Sequence, residues 1–514
     1  YLQLHFDLRD GHQLASLIKQ GLEDVPRSEE LLDLAAWANL LRRMPALGRR
    51  ALYIQRSMGW NLEAPAPLAQ LSCAHEGVGA IAYLLHLHPF IKEDPARYLD
   101  VHGNLLLHLA SMNHENLEIV SRNCLKSLQL TPGFKQHLPE KDYSFSIKSS
   151  SESLRVAWIT GDCRYHPVSR FLMGSLSSLA GQFKHQHHVV STRPLEDKIP
   201  ELYEGIEGVE LHDFSAPNVH HKTRIIRDLK ADIAIDLSGW TDGHFAPAFI
   251  SRVAPIQINY LGYFGSTGIP AMDWWLGDSY LFPTPMRQWH SEKVYRLPRC
   301  FIAWQPHPEF PEASVAVPEA RSGPIRFGCF NHLRKLTDIT LQTWSKILNS
   351  IPSSRLVLKA AGFEDSTALC LLRRRLLRAG LEPEKIDYLP FAPTISEHLL
   401  QYREIDIALD PFPNGGCTTT CEALWMGVPV ITLAGNSYVS RMSSSVLHGA
   451  GMKNWVADDL NSYIDLTVKY ADTLVELRSG REDLRRRLRK SELGNGNQLM
   501  RTIESCFDKM VNVN

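Results

Sequence analysis

Apolar residues change their spacing partway along the chain, and this change divides it into two kinds of structure. Over residues 1 to about 135 they recur three and four positions apart, which is the period of amphipathic helices. The helical stripes include Leu31, Leu32, Leu34, Ala35, Leu40 and Leu41, and later Leu105, Leu106, Leu109, Leu117, Val120 and Leu128. From Arg155 onward, short apolar runs alternate with helical segments, as in a parallel sheet covered by helices. We therefore predict an all-α domain over residues 1–140 and an α/β body after it.

The helical domain contains one segment with features of a repeat. Val101–Pro132 has about the length of a 34-residue tetratricopeptide unit. Leu107, Val120, Cys124 and Ser127 fall at packing positions of that unit, although its usual Trp, Gly and Tyr are absent. Stacked helical repeats form a concave surface suited to extended peptides. This interpretation predicts a protein partner, and a plain helical packing domain is the alternative.

The α/β body begins with a predicted lobe over residues 154–310. Its predicted strands are Arg155–Ile159, His188–Ser191, Asp232–Leu237, Ile256–Tyr260 and Trp274–Leu276, with helices from about Val168 and near His221–Leu229. Doubly wound sheets bind ligands at the carboxyl ends of their strands. His166, Asp236, Ser238–Thr241 and Gly262–Gly268 all fall at such ends. An exposed imidazole such as His166 titrates near neutral pH and could act in catalysis; a surface histidine without a function is the alternative.

A second lobe with the same rhythm is predicted over residues 324–480, after a Pro-rich bridge at Pro306–Pro324. Its predicted strands are Ile325–Phe330, Arg355–Ala360, Ile386–Leu389, Ile405–Leu409 and Val428–Leu433, and its helices Asp338–Ser350, Ser366–Ala379, Ser396–Tyr402 and one from about Thr418. A helical tail over residues 481–514 completes the chain. The predicted fold class is thus α/β, with two doubly wound, Rossmann-like lobes behind an all-α domain.

The turn Asp410–Gly416 carries the strongest chemical signal. Its glycines allow a ligand to approach the backbone, and Thr418–Thr420 place hydroxyls and unpaired N–H groups at the positive end of a helix. Lys335 ends the segment Phe330–Lys335 after another strand and adds a point charge. Together they predict a diphosphate site, with Glu422 one turn further on as a candidate acceptor for sugar hydroxyls. A ligand-free capped helix and a solvated lysine are the alternatives.

Charge and cysteine content narrow the function classes. With 55 Lys and Arg against 56 Asp and Glu, no global basic field exists to recruit nucleic acid or an acidic membrane. The nine cysteines are odd in number and scattered, which favours a reducing compartment. No signal peptide or membrane-length apolar run is visible, so we expect a cytoplasmic protein.

The sequence lacks the common motifs for binding metals and nucleotide cofactors. Cys417 and Cys421 are four residues apart, but no second Cys or His pair of fitting spacing follows, so we expect no metal there. The cluster of His185, His187 and His188 is predicted to be an exposed edge. The chain has no GxGxxG, no GxxxxGK[ST] and no Asp-x-Asp, which argues against dinucleotide enzymes, P-loop enzymes and an acidic metal clamp. A metal-free diphosphate site without a cofactor remains.

Four motifs resemble those of the O-linked N-acetylglucosamine transferases, and most closely their compact bacterial members. They are Asp162–Pro167, Asn259–Gly268 (NYLGYFGSTG), Phe330–Lys335 (FNHLRK) and Asp410–Pro429. The resemblance covers nearly the whole chain. It implies a GT-B fold and metal-independent, inverting transfer of N-acetylglucosamine from UDP-GlcNAc to Ser or Thr of proteins, with acceptors bound through the helical repeats.

The resemblance also implies roles for individual residues. His166 would act as general base or as a group that positions the sugar, and Lys335 would hold the diphosphate and stabilise the leaving UDP. Thr418 and Thr419 would donate N–H groups to the phosphates, and His332 and Cys417 would belong to the UDP-sugar site. The uridine pocket would comprise Ala392, Pro393, Thr394, His398 and Gln401, while Glu422 would hold the ribose and Gly262 would line the sugar.

Some positions depart from the animal members of the family. Cys417 replaces a His, Thr394 a Lys, Gln401 an Arg, His332 a Gln and Glu422 an Asp, so the pocket is less cationic and we expect weaker UDP binding. Two other functions remain open at this stage. One is a GT-B enzyme with a carbohydrate, lipid or small-molecule acceptor, and the other is a non-catalytic scaffold with a vestigial transferase body.

Overall fold

The computed structural model describes residues 151–195, 205–214, 219–241, 243–305, 323–360 and 366–513, together with isolated residues that lie mostly between 102 and 149. The stripe Leu31–Leu41, most of the tetratricopeptide-like segment and nearly all of the Pro306–Pro324 bridge lie outside these residues. The described residues between 102 and 111 are helical. Leu105, Leu106 and Leu109 are fully buried against the first lobe, as the helical period predicts.

The first lobe is built on a seven-stranded parallel sheet in the order β3-β2-β1-β4-β5-β6-β7. Its strands are β1 (Arg155–Thr160), β2 (Gln186–Ser191), β3 (Val209–Asp213), β4 (Ile233–Asp236), β5 (Ile256–Asn259), β6 (Trp274–Asp278) and β7 (Lys293–Leu297), and its helices are α1 (Pro167–Ser177), α2 (Val219–Asp228) and α3 (Ala246–Ile250). The central strands β4 and β5 are buried at every residue, as expected where both faces of a sheet are covered.

The second lobe is built on a six-stranded parallel sheet in the order β10-β9-β8-β11-β12-β13. The strands are β8 (Arg326–Cys329), β9 (Arg355–Lys359), β10 (Ile386–Leu389), β11 (Ile407–Leu409), β12 (Val430–Leu433) and β13 (Val456–Ala457). The helices are α4 (Asp338–Ser350), α5 (Ser366–Arg378), α6 (Ile395–Leu400), α7 (Thr418–Trp425), α8 (Met442–Gly449), α9 (Leu460–Ala471), α10 (Leu474–Ser479), α11 (Arg481–Lys490) and α12 (Gly496–Val513).

Both sheets reverse their strand order at one point, and both reversals place loops where a ligand would bind. In the first sheet β1 and β4 are neighbours, and in the second β8 and β11 are neighbours. Loops that leave such neighbouring strands diverge to opposite faces and open a crevice at the carboxyl end of the sheet. The His166 loop follows β1, the Lys335 segment follows β8, and the Asp410–Gly416 turn follows β11.

The predicted tail divides between the two lobes. Helix α11 stays on the second lobe, where the buried Arg481 donates to the carbonyl oxygens of Tyr402 and Ile405. Helix α12 returns to the first lobe and packs against α1. There the Glu504 carboxylate accepts from the backbone N–H groups of Lys184 and His185, at 2.9 and 3.1 Å. The end of the chain therefore holds the two lobes together.

The histidines that were predicted to form an exposed edge are buried instead, so that prediction was wrong. His185, His187 and His188 are only 3%, 1% and 8% exposed. Strand β2 lies between β1 and β3, and α12 covers one of its faces: Nε2 of His187 lies 3.3 Å from Oε1 of Glu504. The local run of polar histidines indicated a solvated edge. The helix that covers this strand could not be inferred from that run, because it comes more than 300 residues later in the sequence.

Replacing Glu504 with alanine should destabilise the protein markedly. The change leaves His187, the buried N–H of His185 and the partly buried N–H of Lys184 without their acceptor, and each buried unpaired donor costs about 1–3 kcal/mol. We expect a loss of roughly 3 kcal/mol in the free energy of unfolding, measured by chemical denaturation. Asp508→Ala, on the next turn of α12 and more exposed, is the matched control and should cost less than about 1 kcal/mol. Equal losses in the two variants would contradict this account of α12.

Among the helices that the structure describes, none combines the length and the hydropathy needed to cross a lipid bilayer.

Candidate functional site

Lys335 and the glycine turn meet, as the sequence predicted. Nζ of Lys335 donates to the carbonyl oxygen of Gly415 at 2.7 Å and to Oδ1 of Asn331 at 3.2 Å. The same Asn331 oxygen accepts from the hydroxyl of Thr419 at 3.1 Å. A cationic side chain and the first turn of α7 thus border one space, although they come from different strand ends.

The turn is held open by a buried carboxylate that sequence analysis did not single out. Oδ1 of Asp410 accepts from the N–H of Gly416 at 2.7 Å, and Oδ2 accepts from the hydroxyl of Thr432 at 2.7 Å. A Cβ atom at Gly415 would lie 2.7 Å from Oδ2 of Asp410, and one at Gly416 would lie 2.5 Å from the hydroxyl oxygen of Thr419. Only glycine therefore fits this turn around Asp410 without displacing its neighbours.

Burial shifts the titration of groups at this turn. It lowers the pKa of Lys335 to about 8, an effect that the nearby Asp410 charge partly opposes. Burial also raises the pKa of Cys417 to about 12, so this side chain is a neutral thiol at physiological pH. Among the described residues, Cys417 and Cys421 have no third His, Cys, Asp or Glu in position to complete a metal site.

Glu422 joins the two lobes across the crevice. Its Oε1 accepts from the Arg170 guanidinium of the first lobe at 3.3 Å, and its Oε2 lies 2.9 Å from Nε2 of His398 in the second. Burial by itself raises the pKa of Glu422, but His398 and Arg170 outweigh it and hold the pKa below its usual value. Glu422 is therefore a charged acceptor in a buried position.

A second buried lysine lies behind His398, and sequence analysis missed it. Lys359 ends β9, and its Nζ contacts Nδ1 of His398. Since an ammonium group only donates, Nδ1 of His398 accepts and Nε2 carries the proton that faces Glu422. Burial lowers the pKa of Lys359 to about 8, while Glu422 opposes the shift. Lys359, His398 and Glu422 thus form one polar chain along the predicted uridine pocket.

His166 caps the start of α1, and Asp162 orients it. Nδ1 of His166 lies 3.3 Å from Oδ2 of Asp162 and 3.4 Å from the backbone nitrogen of Val168. Arg170 is four residues further along the chain, so His166 lies near the part of α1 that contacts Glu422. His166 therefore lies at the crevice, on the opposite side from the Lys335 turn.

Gly262 has no room for a side chain. A Cβ atom there would lie 1.8 Å from the carbonyl oxygen of Leu237 and 2.9 Å from the Val168 side chain. Gly262 thus brings the β5 loop against the β4 loop beside the start of α1. This packing explains the glycine by itself, and it also places the loop next to the crevice that the sequence assigned to the sugar.

The remaining predicted residues lie around the second-lobe pocket and mostly stabilise local structure. Thr394 caps α6 through a reciprocal capping box with Glu397, and Nε2 of Gln401 donates to the carbonyl oxygen of Pro390. Ala392 is buried, Pro393 is exposed, and His332 is an exposed cap of the Leu333–Lys335 turn. Thr418 is half-buried at the first position of α7.

The sequence analysis gave no individual role to five residues of the site. Asp162, Asn331 and Asp410 lie within motifs that it identified, whereas Arg170 and Lys359 lie outside them. Asp410 and Lys359 could have been found, because each ends an apolar strand whose carboxyl end faces the crevice. Arg170 had no such signal, since polar residues at helix positions are common.

Comparison with known proteins gives consistent results. A family model described as glycosyl transferase family 41 matches residues 111–314 and 315–503. The protein called "Probable UDP-N-acetylglucosamine--peptide N-acetylglucosaminyltransferase SPINDLY" is 36% identical over 286 residues in Petunia hybrida, covering 56% of this chain and 31% of that protein. Its Arabidopsis thaliana counterpart is 31% identical over 376 residues, covering 71% of this chain and 40% of that protein.

This chain therefore spans only about a third of the length of the curated relatives it matches. A mutant form of the Thermobaculum terrenum O-GlcNAc transferase superposes with a TM-score of 0.87 at 26% identity, covering 99% of this chain and 96% of that one. This match confirms the predicted GT-B arrangement of two lobes. Since the family model also covers well over half of the 514 residues, the chain belongs to glycosyl transferase family 41.

Proposed function

We propose that this protein transfers N-acetylglucosamine from UDP-GlcNAc to serine and threonine hydroxyls of proteins, with inversion at the anomeric carbon and without a metal ion. The observation that carries the proposal is the Lys335 turn, where an ammonium group faces a glycine-lined helix start. Such a site binds a diphosphate with a point charge on one side and N–H donors on the other. The names of the relatives support the choice of donor and acceptor.

In this proposal the nucleotide lies in the second lobe. Its diphosphate takes the place near Lys335 and the first turn of α7, its ribose hydroxyls bind Glu422, and its base lies against the His398 ring. The uridine pocket also includes Ala392, Pro393, Thr394 and Gln401, and His332 and Cys417 lie near the phosphates. Lys335 supplies positive charge where negative charge grows on the leaving phosphate, which is usually the largest catalytic effect.

The acceptor approaches from the first lobe. His166 lies on that side of the crevice. In the role of base, its Nδ1 would give up the cap bond that it accepts from the Val168 N–H and would instead carry a proton toward Asp162, which leaves Nε2 as the basic nitrogen. The acceptor hydroxyl would lose its proton to His166 as its oxygen attacks the anomeric carbon opposite UDP. The helical region before residue 150 would guide acceptor proteins to this side, as repeats in such proteins bind extended peptides.

Calorimetric titration with UDP and UDP-GlcNAc, with and without chelator, tests this proposal. We expect saturable binding that the chelator does not change. GDP and UDP-glucose serve as controls for the base and the sugar and should bind at least about tenfold more weakly, a difference of about 1.4 kcal/mol. Absence of UDP binding would reject the transferase proposal. UDP binding without transfer to any protein would favour a scaffold or a different acceptor.

Binding of UDP should weaken as the pH rises through about 8. Lys335 in the free protein has a pKa of about 8, so its charge is present below that pH and is lost above it. If only the charged form binds, affinity falls about tenfold for each pH unit above the pKa. Titration from pH 7 to 9.5 measures this. Lys359 also titrates near 8, so Lys359→Gln is the companion variant: its pH dependence should persist, whereas Lys335→Ala should show none.

A further inference from the structure

Three potential metal ligands converge at the outer edge of the first sheet, away from the crevice. They are His188 on β2 and Glu210 and His212 on β3, the edge strand. Nothing in the proposed transferase reaction uses them. Among the described residues, these three are the set of His, Cys, Asp and Glu side chains whose ligand atoms lie close enough together to hold one ion.

The distances between the ligand atoms suit a small ion. Nδ1 of His188 lies 3.0 Å from Nε2 of His212 and 3.3 Å from Oε2 of Glu210, and Nε2 of His212 lies 3.7 Å from Oε2 of Glu210. A tetrahedral Zn²⁺ site with bonds of about 2.0–2.1 Å separates neighbouring ligand atoms by about 3.3 Å. The observed triangle therefore matches one face of such a tetrahedron, with the fourth position open to water.

The register of the sheet produces this triangle. His188 is opposite Glu210 in the parallel pairing of β2 with β3, and His212 follows Glu210 by two positions. Residues two apart on a strand share a face, so all three side chains project from the same side of the sheet. Their positions are consequently fixed by backbone hydrogen bonding and not by flexible loops, as a preorganised site requires.

Burial and charge are also suitable. His188 is only 8% exposed. Its Nε2 has no partner among the described residues, so the polar contacts of the ring are those of Nδ1, which faces the other two ligands. The Glu210 side chain is 71% exposed and provides a route for an ion to enter. Arg155 is a nearby positive charge that opposes a cation.

We propose that His188, Glu210 and His212 bind a divalent transition-metal ion, Zn²⁺ by preference, which ties the edge strand β3 to β2. Two imidazoles and a carboxylate are a ligand set that Zn²⁺ accepts readily. The ion stabilises the edge of the first lobe and takes no part in sugar transfer. The site is independent of the proposed function, because no contact given by the described residues joins its three ligands to the crevice.

The test is calorimetric titration of Zn²⁺ into the full chain after chelator treatment and desalting. Four proteins are compared: wild type, His212→Ala, Glu210→Gln and, as a charge-matched control, Glu207→Gln. Glu207 is an exposed carboxylate three residues before Glu210. Wild type and Glu207→Gln should bind one equivalent at high affinity. Changes to groups that only surround metal ligands already weaken metal binding roughly 10–100-fold. Glu210→Gln removes a ligand charge and should weaken Zn²⁺ binding by at least that factor, and His212→Ala should no longer bind the ion.

Thermal unfolding with and without Zn²⁺ gives a second measurement. An ion that binds only the folded state raises the unfolding temperature, so Zn²⁺ should stabilise wild type and Glu207→Gln equally and Glu210→Gln clearly less. Glu210→Gln keeps the size of an exposed side chain, so misfolding would not explain a loss of binding. Equal Zn²⁺ binding by all four proteins, or none by the wild type, would overturn the proposal. UDP binding should be unchanged in all four.

Discussion

Lys335→Ala should reduce sugar transfer at least a hundredfold and leave the fold intact. The lost ammonium group faces the turn where negative charge grows on the leaving phosphate, and removing one such contact from a dry site costs about 3 kcal/mol, or roughly a hundredfold in rate. The fold should survive because Asn331 still accepts from Thr419 and the Gly416 N–H still donates to Asp410. Single-turnover transfer from radiolabelled UDP-GlcNAc to an extract of acceptor proteins measures the rate.

Lys346→Ala is the matched control for this variant. Lys346 is exposed on α4, and its removal deletes the same side chain at a position away from the crevice. Its transfer rate, UDP affinity and thermal unfolding should equal those of the wild type. If Lys335→Ala retains full transfer with native-like unfolding, Lys335 has no part in the mechanism. If Lys335→Ala unfolds early, the lysine is structural and the rate says nothing about chemistry.

His166→Ala should abolish most transfer while UDP binding is preserved. General acid–base groups contribute about 10²–10⁴-fold to rates, and His166 lies in the first lobe whereas the proposed nucleotide contacts lie in the second. The loss of its cap contact with Val168 should cost only about 1 kcal/mol in stability. Parallel transfer assays and UDP titrations measure the two effects separately. If UDP binding disappears instead, His166 belongs to the nucleotide pocket.

The Asp162→Asn variant tests whether His166 acts as a general base or only as a positioning group. The amide keeps the size of Asp162 but cannot stabilise a positively charged imidazole as the carboxylate does. If His166 acts as a base, this variant should lower the transfer rate and shift the lower limb of its pH profile toward lower pH. A lower rate with an unchanged profile would indicate that Asp162 only holds the ring. His221→Ala, which removes an exposed histidine of α2, is the control and should leave the rate unchanged.

Sequence patterns predicted most elements because their signal is local. Asp338–Ser350 and Ile386–Leu389 were predicted with the bounds that the structure shows, and most other elements differ by one to three residues. Strand β13 of the second lobe was missed, and so were β3 and β7 of the first. Each lies at an edge of the first sheet, and residues such as Glu210 and Lys293 there are exposed, so neither strand shows the continuous apolar run of a central strand.

Some features of the candidate site could likewise be predicted from the sequence, and others could not. The Lys335 segment and the helix start at Thr418 could be read from the sequence, because glycines, hydroxyl residues and a lysine at strand ends have a chemical meaning of their own. The ion pair between Arg170 and Glu422, which are 252 residues apart, could not. Neither could the polar chain from Lys359 through His398 to Glu422, because the sequence does not show that these three side chains contact one another.

By itself the sequence determined the class of fold, the strand ends that form the candidate site and the family to which the chain belongs. Only the tertiary structure decided which polar residues are buried, which of them pair across the crevice, and where α12 packs. The reason is physical. Periodicity and turn chemistry act over a few residues, whereas burial and ion pairing depend on segments hundreds of residues apart. The His187 ring is buried because Glu504 and its helix cover it, and no pattern around His187 contains that information.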